Sequence, residues 1–294
     1  MRKHRIATTL DRPNGAVAAV DGRKLYEYPF FLTPTNPNVA ITVPAGQATD
    51  VLQAPVSGEG PAQIETLSYQ RTGACQVRLG VQDGELMRYI SNRFIHADTI
   101  FGNGQRAFSL PEALFVDETR SLAMIWSDLS GETNTVRPIF GTARYTKPET
   151  DPILEKVRSR MDFRQYMSAP YFYTLDAQVA TIGAGLTAQG TITVGTDHNF
   201  EVLKITGLST GRYTFQITDI NTGEPFFDGF GGGGIQVENT LVVGTPGFPY
   251  TLKEKRFWSA GTKLLVEFTD ISGAPNTVFL TLSGRMIATR MWRS

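Results

Sequence analysis

The sequence predicts an all-β protein built from two tandem, duplicated β-sandwich or jelly-roll domains that are joined by a short linker helix. Three features predict this fold: an internal repeat, short alternating runs between turn residues, and one segment of helical periodicity between the repeats. Of the 294 residues, 41% are hydrophobic and 19% charged, and acidic and basic residues are equal in number. This composition excludes a disordered tail protein, a coiled coil and a generic nucleic-acid binder.

The repeat becomes visible when the chain is shifted against itself by 142 positions. Residues 109–136 and 251–278 then share ten identical residues, and the strongest block is Asp-Leu/Ile-Ser-Gly followed by Asn-Thr-Val. A weaker match places Pro-Phe-Phe31 over Pro-Tyr-Phe172. We therefore expect four regions: an N-terminal arm at 1–28, a first β-sandwich at 29–145, a linker at 146–169 and a second, duplicate β-sandwich at 170–294.

Within each copy, strand-like runs alternate with turn residues such as Asn221-Thr-Gly223. In the run at 212–218, Tyr213, Phe215 and Ile217 share one face, as a half-buried strand requires. Strands do not alternate with helices along the chain, so neither a Rossmann nor a TIM-barrel architecture is expected.

The linker carries the one helical pattern. Thr150-Asp-Pro152 is a typical helix start, and Ile153, Leu154, Val157 and Met161 follow at helical spacing. We expect an amphipathic helix near 152–166. Two interpretations stay open for it: a spacer that packs on one domain, or an element that docks on a partner.

The single cysteine, Cys75, excludes an intrachain disulfide and a multi-cysteine zinc site. Its strand-like neighbours indicate a small buried hydrophobe rather than a reactive thiol. The basic N-terminus is not followed by an apolar stretch, so no secretory signal is expected, and no window is apolar enough to span a membrane. These features are typical of a protein made in a reducing cytoplasm.

Two glycine-containing motifs match the residue pattern of known active-site motifs but not the structural context that those motifs require. Gly207-Leu-Ser-Thr-Gly211 fits the nucleophile-elbow pattern, but it joins two strand-like runs, so Ser209 is expected in a hairpin loop. The first copy carries Arg71 at the same position, so the shared fold does not require a serine there. The glycines of 229–234 lack the lysine and helix of a phosphate-binding loop and are expected to form a flexible or closely packed loop.

The three histidines, His4, His96 and His198, share no metal-ligand spacing, and the Asp197-His198 pair is expected in a solvated turn. Acidic residues such as Asp219 and Glu224 lie near turns, where they are common. The sequence therefore predicts no catalytic residues, no cofactor-binding residues, no metal ligands and no cofactor. We expect a protein that is not an enzyme.

A basic arm, tandem β-domains with few charges and the paired Asp-Leu/Ile-Ser-Gly…Asn-Thr-Val segments together resemble structural proteins of tailed-bacteriophage virions. The Pro-Phe-Phe31 and Pro-Tyr-Phe172 openings and the start of the strand at Asp197–Ile205 carry the same resemblance. The resemblance implies a capsid decoration, cement, minor capsid or vertex protein. It also implies that the partners are other virion proteins and copies of the chain itself, and that the protein is found in virions assembled in the host cytoplasm.

Partner contacts are expected from the arm and from aromatic residues of the second domain, because large permanent interfaces are depleted of charge and rich in aromatics. The candidates are Arg2, Lys3, Arg5, Phe227, Phe230, Phe248 and Trp258. Two alternatives stay open: a double-jelly-roll major capsid protein, and a carbohydrate- or receptor-binding module using loop-end aromatics such as Tyr171, Tyr173 and Trp258. No membrane and no specific nucleic acid is expected as a partner.

Overall fold

A computed structural model describes residues 18–20, 23–25, 30–32, 40–55, 62–116, 119–144, 168–175, 181–229 and 234–288. Strands account for 65% of the structure and helix for 3%, so the predicted all-β class is confirmed. The predicted linker helix at 152–166 lies outside the described residues. Within the predicted arm, β1 (Ala18–Val20) and β2 (Arg23–Leu25) pair as an antiparallel hairpin.

The described part of the first half, within residues 30–144, contains ten strands. They are β3 (Phe30–Leu32), β4 (Ile41–Val43), β5 (Leu52–Pro55), β6 (Ala62–Arg71), β7 (Cys75–Asp83), β8 (Leu86–Tyr89), β9 (Ile95–His96), β10 (Phe108–Val116), β11 (Arg120–Asp128) and β12 (Asn134–Arg144). One sheet has the order β10-β6-β12-β3 with β4 beside β12, and the other has the order β5-β11-β7-β8 with β9 beside β7. A 3₁₀ turn at Ala97–Thr99 crosses between β9 and β10.

Nine strands lie in the described residues of the second half, within 168–288. They are β13 (Ser168–Thr174), β14 (Thr181–Ile182), β15 (Thr187–Thr193), β16 (His198–Ser209), β17 (Tyr213–Asp219), β18 (Val237–Glu238), β19 (Tyr250–Trp258), β20 (Lys263–Asp270) and β21 (Asn276–Ala288). The sheets have the orders β13-β21-β16-β19, with β14 beside β21, and β15-β20-β17-β18. One helical turn, Asn239–Val242, follows β18.

Strand order is the same in the two halves. The sheet β10-β6-β12-β3, called the large sheet of the first half, corresponds to β19-β16-β21-β13, the large sheet of the second. The sheet β5-β11-β7-β8 corresponds to β15-β20-β17-β18 in the same way. A duplication requires matching strand order, because shared connections and pairings are what two copies of one fold inherit.

Each half encloses its own hydrophobic core between its two sheets. Trp126 and Phe140 are fully buried in the first core, and Tyr213 and Phe215 in the second. Cys75 is also fully buried in the first core, and burial raises its pKa to about 12. The predicted burial of this cysteine is thereby confirmed, and a thiol whose pKa is raised in this way stays protonated near neutral pH.

The strongest block of the repeat forms one turn that ties three segments together. The Asp128 carboxylate accepts hydrogen bonds from the backbone N–H of Gly46 and Gly131 (2.8 Å each) and of Ser130 (2.9 Å), and from the Asn134 amide (2.6 Å). Gly131 has a φ of 77°, a left-handed conformation that favours glycine. The block is therefore a structural turn in which the β11–β12 loop binds the β4–β5 turn.

The second half repeats this turn around Asp270. Its carboxylate accepts from the N–H of Gly185 (2.9 Å), Ser272 (3.1 Å) and Gly273 (3.2 Å), and Asn276 lies in the place of Asn134. Hydrogen bonds led by that of Gly185 lower the pKa of Asp270 to about 2, and bonds led by that of Gly46 hold the pKa of Asp128 well below its usual range.

Strand β13 belongs to the second half but also serves the first. Phe172 pairs with Ser283 within its own sheet, while its N–H donates to the carbonyl of Ile90 (2.9 Å) and its carbonyl accepts from Asn92 N–H (3.2 Å). Its fully buried ring lies in the first core, 6.2 Å from the ring of Phe108. The two halves therefore share backbone pairing and a core residue.

Further contacts between the halves lie along the outer face of the second large sheet. Thr99 Oγ1 and Thr281 Oγ1 are 2.7 Å apart and fully buried. Lys204 Nζ donates to the carbonyl of Ser109 (2.7 Å) and lies 5.2 Å from the ring of Phe108, and burial lowers its pKa. The second half's sheet is thus covered on both faces: by its own core and by the first half.

Candidate binding sites

A cleft of ≈ 360 Å³ lies at one end of the second half. It is formed by the end of β17, the loop after it, and the end of β19 with the loop that leads to β20. Its volume falls within the range of small-molecule sites, about 300–1,000 Å³. The lining residues that matter for binding are Asp219, Glu224, Phe226, Arg256, Phe257 and Trp258.

One wall of the cleft is formed by the turn at 221–223, which the sequence predicts. Asp219 Oδ1 accepts from the N–H of Asn221 (2.8 Å), and the Asp219 carbonyl accepts from Gly223 N–H (2.7 Å). The Glu224 carbonyl then accepts from Asp219 N–H (2.9 Å), which closes the loop back onto β17. This turn presents two carboxylates, Asp219 and Glu224, at one wall.

Arg256 is held in place across the same cleft. Its Nη1 donates to Glu224 Oε1 (3.1 Å) and its Nη2 to the carbonyl of Phe226 (3.0 Å), while Asp228 lies 3.7 Å away. The guanidinium also lies 5.7 Å from the centre of the Phe226 ring. A fixed cation between carboxylates can hydrogen-bond hydroxyl or carboxylate groups of a ligand.

Aromatic side chains form the apolar part of the cleft. The Phe226 and Trp258 rings are 5.7 Å apart, and Trp258 also stacks on Phe200 at 6.2 Å. Trp258 is only 9% exposed, so it is a core residue whose edge reaches the cleft, whereas Phe257 is 53% exposed. Polar groups beside an aromatic wall suit a ligand with hydroxyl groups and one apolar face.

The predicted contact residues have different surroundings. Arg2, Lys3, Arg5 and Phe230 lie outside the described residues. Phe227 packs against the second core, with its ring at 5.3 Å and 90° to Phe215. Phe248 is 60% exposed, and the Arg106 guanidinium of the first half lies 3.8 Å from its ring centre. Of the four aromatic candidates, Phe248 is the one that the described structure places at the surface.

The interpretation of Tyr171 and Tyr173 as loop-end aromatics is wrong, because both lie in β13. The interpretation of Asp197-His198 as a solvated turn is also wrong for the histidine, which is 5% exposed. His198 Nδ1 lies 2.7 Å from Asp197 Oδ1 and its Nε2 lies 2.8 Å from the Tyr173 hydroxyl. Because a carboxylate only accepts, Nδ1 carries the proton and Nε2 accepts from Tyr173.

The Tyr173 hydroxyl accepts in turn from Gly195 N–H (2.8 Å), and the Tyr171 ring packs 4.9 Å from the His198 ring. Burial raises the pKa of Tyr171 to about 12. The sequence shows Asp197 and His198 as neighbours, but the third member of this chain of hydrogen bonds comes from a different strand. No spacing rule could have found it.

A second polar cluster was also missed, in the first half. Asp98 accepts from the Tyr69 hydroxyl and from Arg71, whose Nε lies 2.9 Å from Asp98 Oδ1. Asp98 N–H donates to His96 Nδ1 (3.3 Å), so this ring carries its proton on Nε2, and burial lowers the pKa of His96. The His96 ring packs 4.4 Å from that of Phe279 in the second half.

Ser209 ends β16, and three residues, Thr210, Gly211 and Arg212, lead to β17. The flanking runs are strands, as predicted, but the prediction of a hairpin loop is wrong, because β16 and β17 lie in different sheets and do not pair with each other. The Ser209 hydroxyl donates to the Gly211 carbonyl (2.8 Å), and Asn239 Nδ2 lies 3.5 Å from it. Within the described ranges, no group of three or more His, Cys, Asp or Glu side chains could hold a metal ion. No described helix is long and apolar enough to cross a membrane.

No family model and no curated protein matches the sequence. Among solved structures, recombinant N-glycanase F (PNGase F) matches at 10% identity over 89% of this chain and 96% of that chain, with a TM-score of 0.36. PNGase F, a glycosylasparaginase from Flavobacterium meningosepticum, matches at 10% identity over 86% and 97%, with a TM-score of 0.31. A structure of infectious bursal disease virus, Gx strain, matches at 11% identity over 94% and 75%, with a TM-score of 0.20.

The expectation that the chain is not an enzyme is contradicted by this search, because the PNGase F structures that it matches are those of an amidase. At TM-scores of 0.31–0.36 and about 10% identity, the likeness assigns neither an activity nor a catalytic residue to this chain. The resemblance to tailed-bacteriophage virion proteins stays a prediction.

Proposed function

We propose that the chain is a structural component of a virion, of the capsid decoration, cement, minor capsid or vertex type, which binds other capsid proteins and its own copies. The observation that carries this proposal is an apolar surface on the second half. Leu241, Phe248 and Tyr250 are 69%, 60% and 37% exposed there. The three belong to one short stretch of chain, from the helical turn to the start of β19, and large exposed apolar side chains close together are typical of protein-binding surfaces.

The scaffold behind this surface supports the proposal. Leu241 lies in a helical turn, Phe248 in the loop after it and Tyr250 in β19. The loop and β19 both pair with β16: Gly244 N–H donates to the Ile205 carbonyl (3.2 Å), and its carbonyl accepts from Gly207 N–H (3.0 Å). The shared residue Phe172 holds the two halves together. A preorganised surface loses little conformational freedom on binding, which favours permanent assembly.

The test is whether the chain belongs to assembled particles. Particles purified on a density gradient should contain the chain in fixed stoichiometry, measured by quantitative mass spectrometry. Leu241→Asp should reduce its incorporation at least about tenfold, because it would bury an unpaired charge in the contact, while Leu86→Lys, an exposed residue of β8, should leave it unchanged. Absence of the wild-type chain from particles would contradict the proposal. Hundreds of copies in a continuous shell would favour the double-jelly-roll major capsid alternative.

The cleft favours a second candidate function, the binding of a carbohydrate. Its carboxylates and Arg256 can hydrogen-bond the hydroxyl groups of a sugar, and its aromatic wall can pack against the apolar face of the sugar ring. The isolated protein should bind specific sugars on a glycan array, and Arg256→Met should abolish that binding. Arg212→Met is the matched control, since Arg212 pairs with Glu238 (2.7 Å) and does not line the cleft. A flat array with the wild-type protein would contradict this candidate.

A further inference from the structure

Much of the contact between the halves is made by one surface of the first half, which we call the donor surface: Thr99, Arg106 and Phe108. Thr99 binds Thr281, Arg106 lies on Phe248, and Phe108 packs against Phe172. The donor surface is carried by the 3₁₀ turn, the loop after it and the start of β10.

The second half has the same donor surface at a shift of 142 positions: Leu241, Phe248 and Tyr250. The backbone confirms this correspondence. Gly102 donates to the Leu67 carbonyl and its carbonyl accepts from Tyr69 N–H, just as Gly244 does with Ile205 and Gly207. The equivalent of buried Thr99 is Leu241, which is 69% exposed. The second donor surface is therefore more apolar than the first, although nothing described in this chain covers Leu241.

The partner of the donor surface, called the acceptor surface, is the outer face of the second large sheet, with Phe279, Thr281 and Ser283 on β21. Thr281 and Ser283 are fully buried, and Thr281 is hydrogen-bonded to Thr99 of the first half. At the same shift, Phe279 and Thr281 correspond to Arg137 and Ile139 on β12. Arg137 is exposed and Ile139 is 38% exposed, so the acceptor surface of the first half is open at these positions.

Among the described residues, then, one donor surface is joined to one acceptor surface. Leu241 and Tyr250 of the other donor surface are exposed, although its Phe248 contacts Arg106, and Ile139 of the other acceptor surface is exposed. The contact is heterologous, because the two surfaces are different. If the halves were related by a two-fold axis, Leu241 would lie against Ile139, just as Thr99 lies against Thr281. Both side chains are exposed instead, so the relation between the halves is not two-fold. Arg106 and Phe248 are equivalent positions that touch each other, which is expected only close to an axis relating the halves.

We propose that the open donor surface of one copy binds the open acceptor surface of a second copy, head to tail, and repeats the contact that joins the two halves. This inference rests on the proposed role in assembly and names the partner as another copy of this chain. Leu241 would then lie against Ile139 of the next copy, an apolar pair where the internal contact has two hydrogen-bonded threonines.

The experiment measures the mass of the purified full chain in solution by light scattering. The wild type should form assemblies larger than the monomer. Leu241→Asp disables the donor surface and Ile139→Lys the acceptor surface, so each variant alone should be a monomer. Mixed in equal amounts, they should form a dimer and nothing larger, since one open donor and one open acceptor remain. Leu86→Lys should assemble like the wild type.

Unchanged circular dichroism spectra would show that the variants fold, and Tyr250→Lys and Arg137→Glu provide a second pair on the same two surfaces. A wild type that stays monomeric at every concentration would overturn the inference. So would an assembly that survives Ile139→Lys but not Leu241→Asp, because that result indicates a self-complementary patch. Incorporation into particles is measured separately, so the virion role can stand while the head-to-tail contact fails.

Discussion

The two halves share strand order but anchor their helical turns to the large sheet with different side chains. In the first half, Tyr69 and Arg71 of β6 bind Asp98 of the turn. The equivalent positions on β16 are Gly207 and Ser209, which carry no ring and no charge.

The second half holds its turn from β17 and the residue before it. Arg212 Nε donates to Glu238 (2.7 Å), and Tyr213 N–H donates to the Asn239 side chain (3.1 Å). What both halves keep is the pairing of one glycine, Gly102 or Gly244, with the strand beside it. The comparison teaches that this backbone pairing is the constant feature, while the polar side chains around it are replaceable.

The largest effect is expected at Phe172, the residue of the second half whose ring lies in the core of the first half. Phe172→Ala should lower the free energy of unfolding by about 3–5 kcal/mol, because it leaves a cavity in a fully packed core. Denaturation followed by labelling of Cys75 would show that the first half loses stability, although the change is in a strand of the second. Phe172→Leu, which keeps most of the volume, should cost far less. Equal stability of the alanine variant and the wild type would contradict the shared core.

Replacing the aspartate should lower the thermal stability by a similar amount in each of the two repeated turns. Asp128→Ala and Asp270→Ala each leave several backbone N–H groups without an acceptor, and each should lower the Tm by about 5–10 °C in calorimetry. Asp83→Ala is the control, since Asp83 is 44% exposed and its bond is to Arg120. A turn whose loss has no effect in one half would show that the duplicated motif has lost its structural role there.

Acid should weaken both turns together. The pKa of Asp270 is lowered to about 2 in the folded chain, against an ordinary value of 3.8, so the unfolded chain takes up protons first. The stability contributed by this carboxylate is therefore present above about pH 4 and is lost as the pH falls through about 2. Urea denaturation midpoints should fall across this range, and the fall should be smaller in Asp270→Asn. An identical slope in that variant would exclude Asp270 as a source.

The smallest effect should come from the anchors that differ. Tyr69→Phe removes the hydroxyl that binds Asp98 and should cost about 1 kcal/mol, because Arg71 still satisfies the carboxylate. Tyr250→Phe, at a partly exposed position, is the matched control and should be close to neutral. A cost similar to that of the aspartate variants would mean that this anchor is as indispensable as the turns.

Local patterns allowed much of this fold to be predicted. The alternation of Tyr213, Phe215 and Ile217 predicted β17, and Asn221-Thr-Gly223 predicted the turn after it, where Gly223 has a φ of 73°. Such features depend on residues close in sequence. The duplication added long-range information, because a backbone pairing found in one half, such as that of Gly102, predicts the equivalent pairing in the other.

Contacts without an equivalent in the other half could not be predicted this way. Phe172 belongs by sequence to the second half, and only the packing of the halves places its ring in the first core. Tyr171 and Tyr173, which pack on His198, come from a different strand, so the residues next to His198 in the sequence did not indicate its burial. Trp258 is an aromatic residue of the kind found in contact surfaces, yet its ring packs against the rings of Phe200 and Phe226.

The position of Phe172 also has a consequence for the first half produced in isolation. A chain that stops before β13 would keep all its own strands but lose one ring from its core and the backbone partners of Ile90 and Asn92. A peptide carrying Ser168–Thr174, or the β13 of a neighbouring molecule, could supply both in trans by adding a strand. The same dependence makes β13 the segment through which two chains could exchange halves.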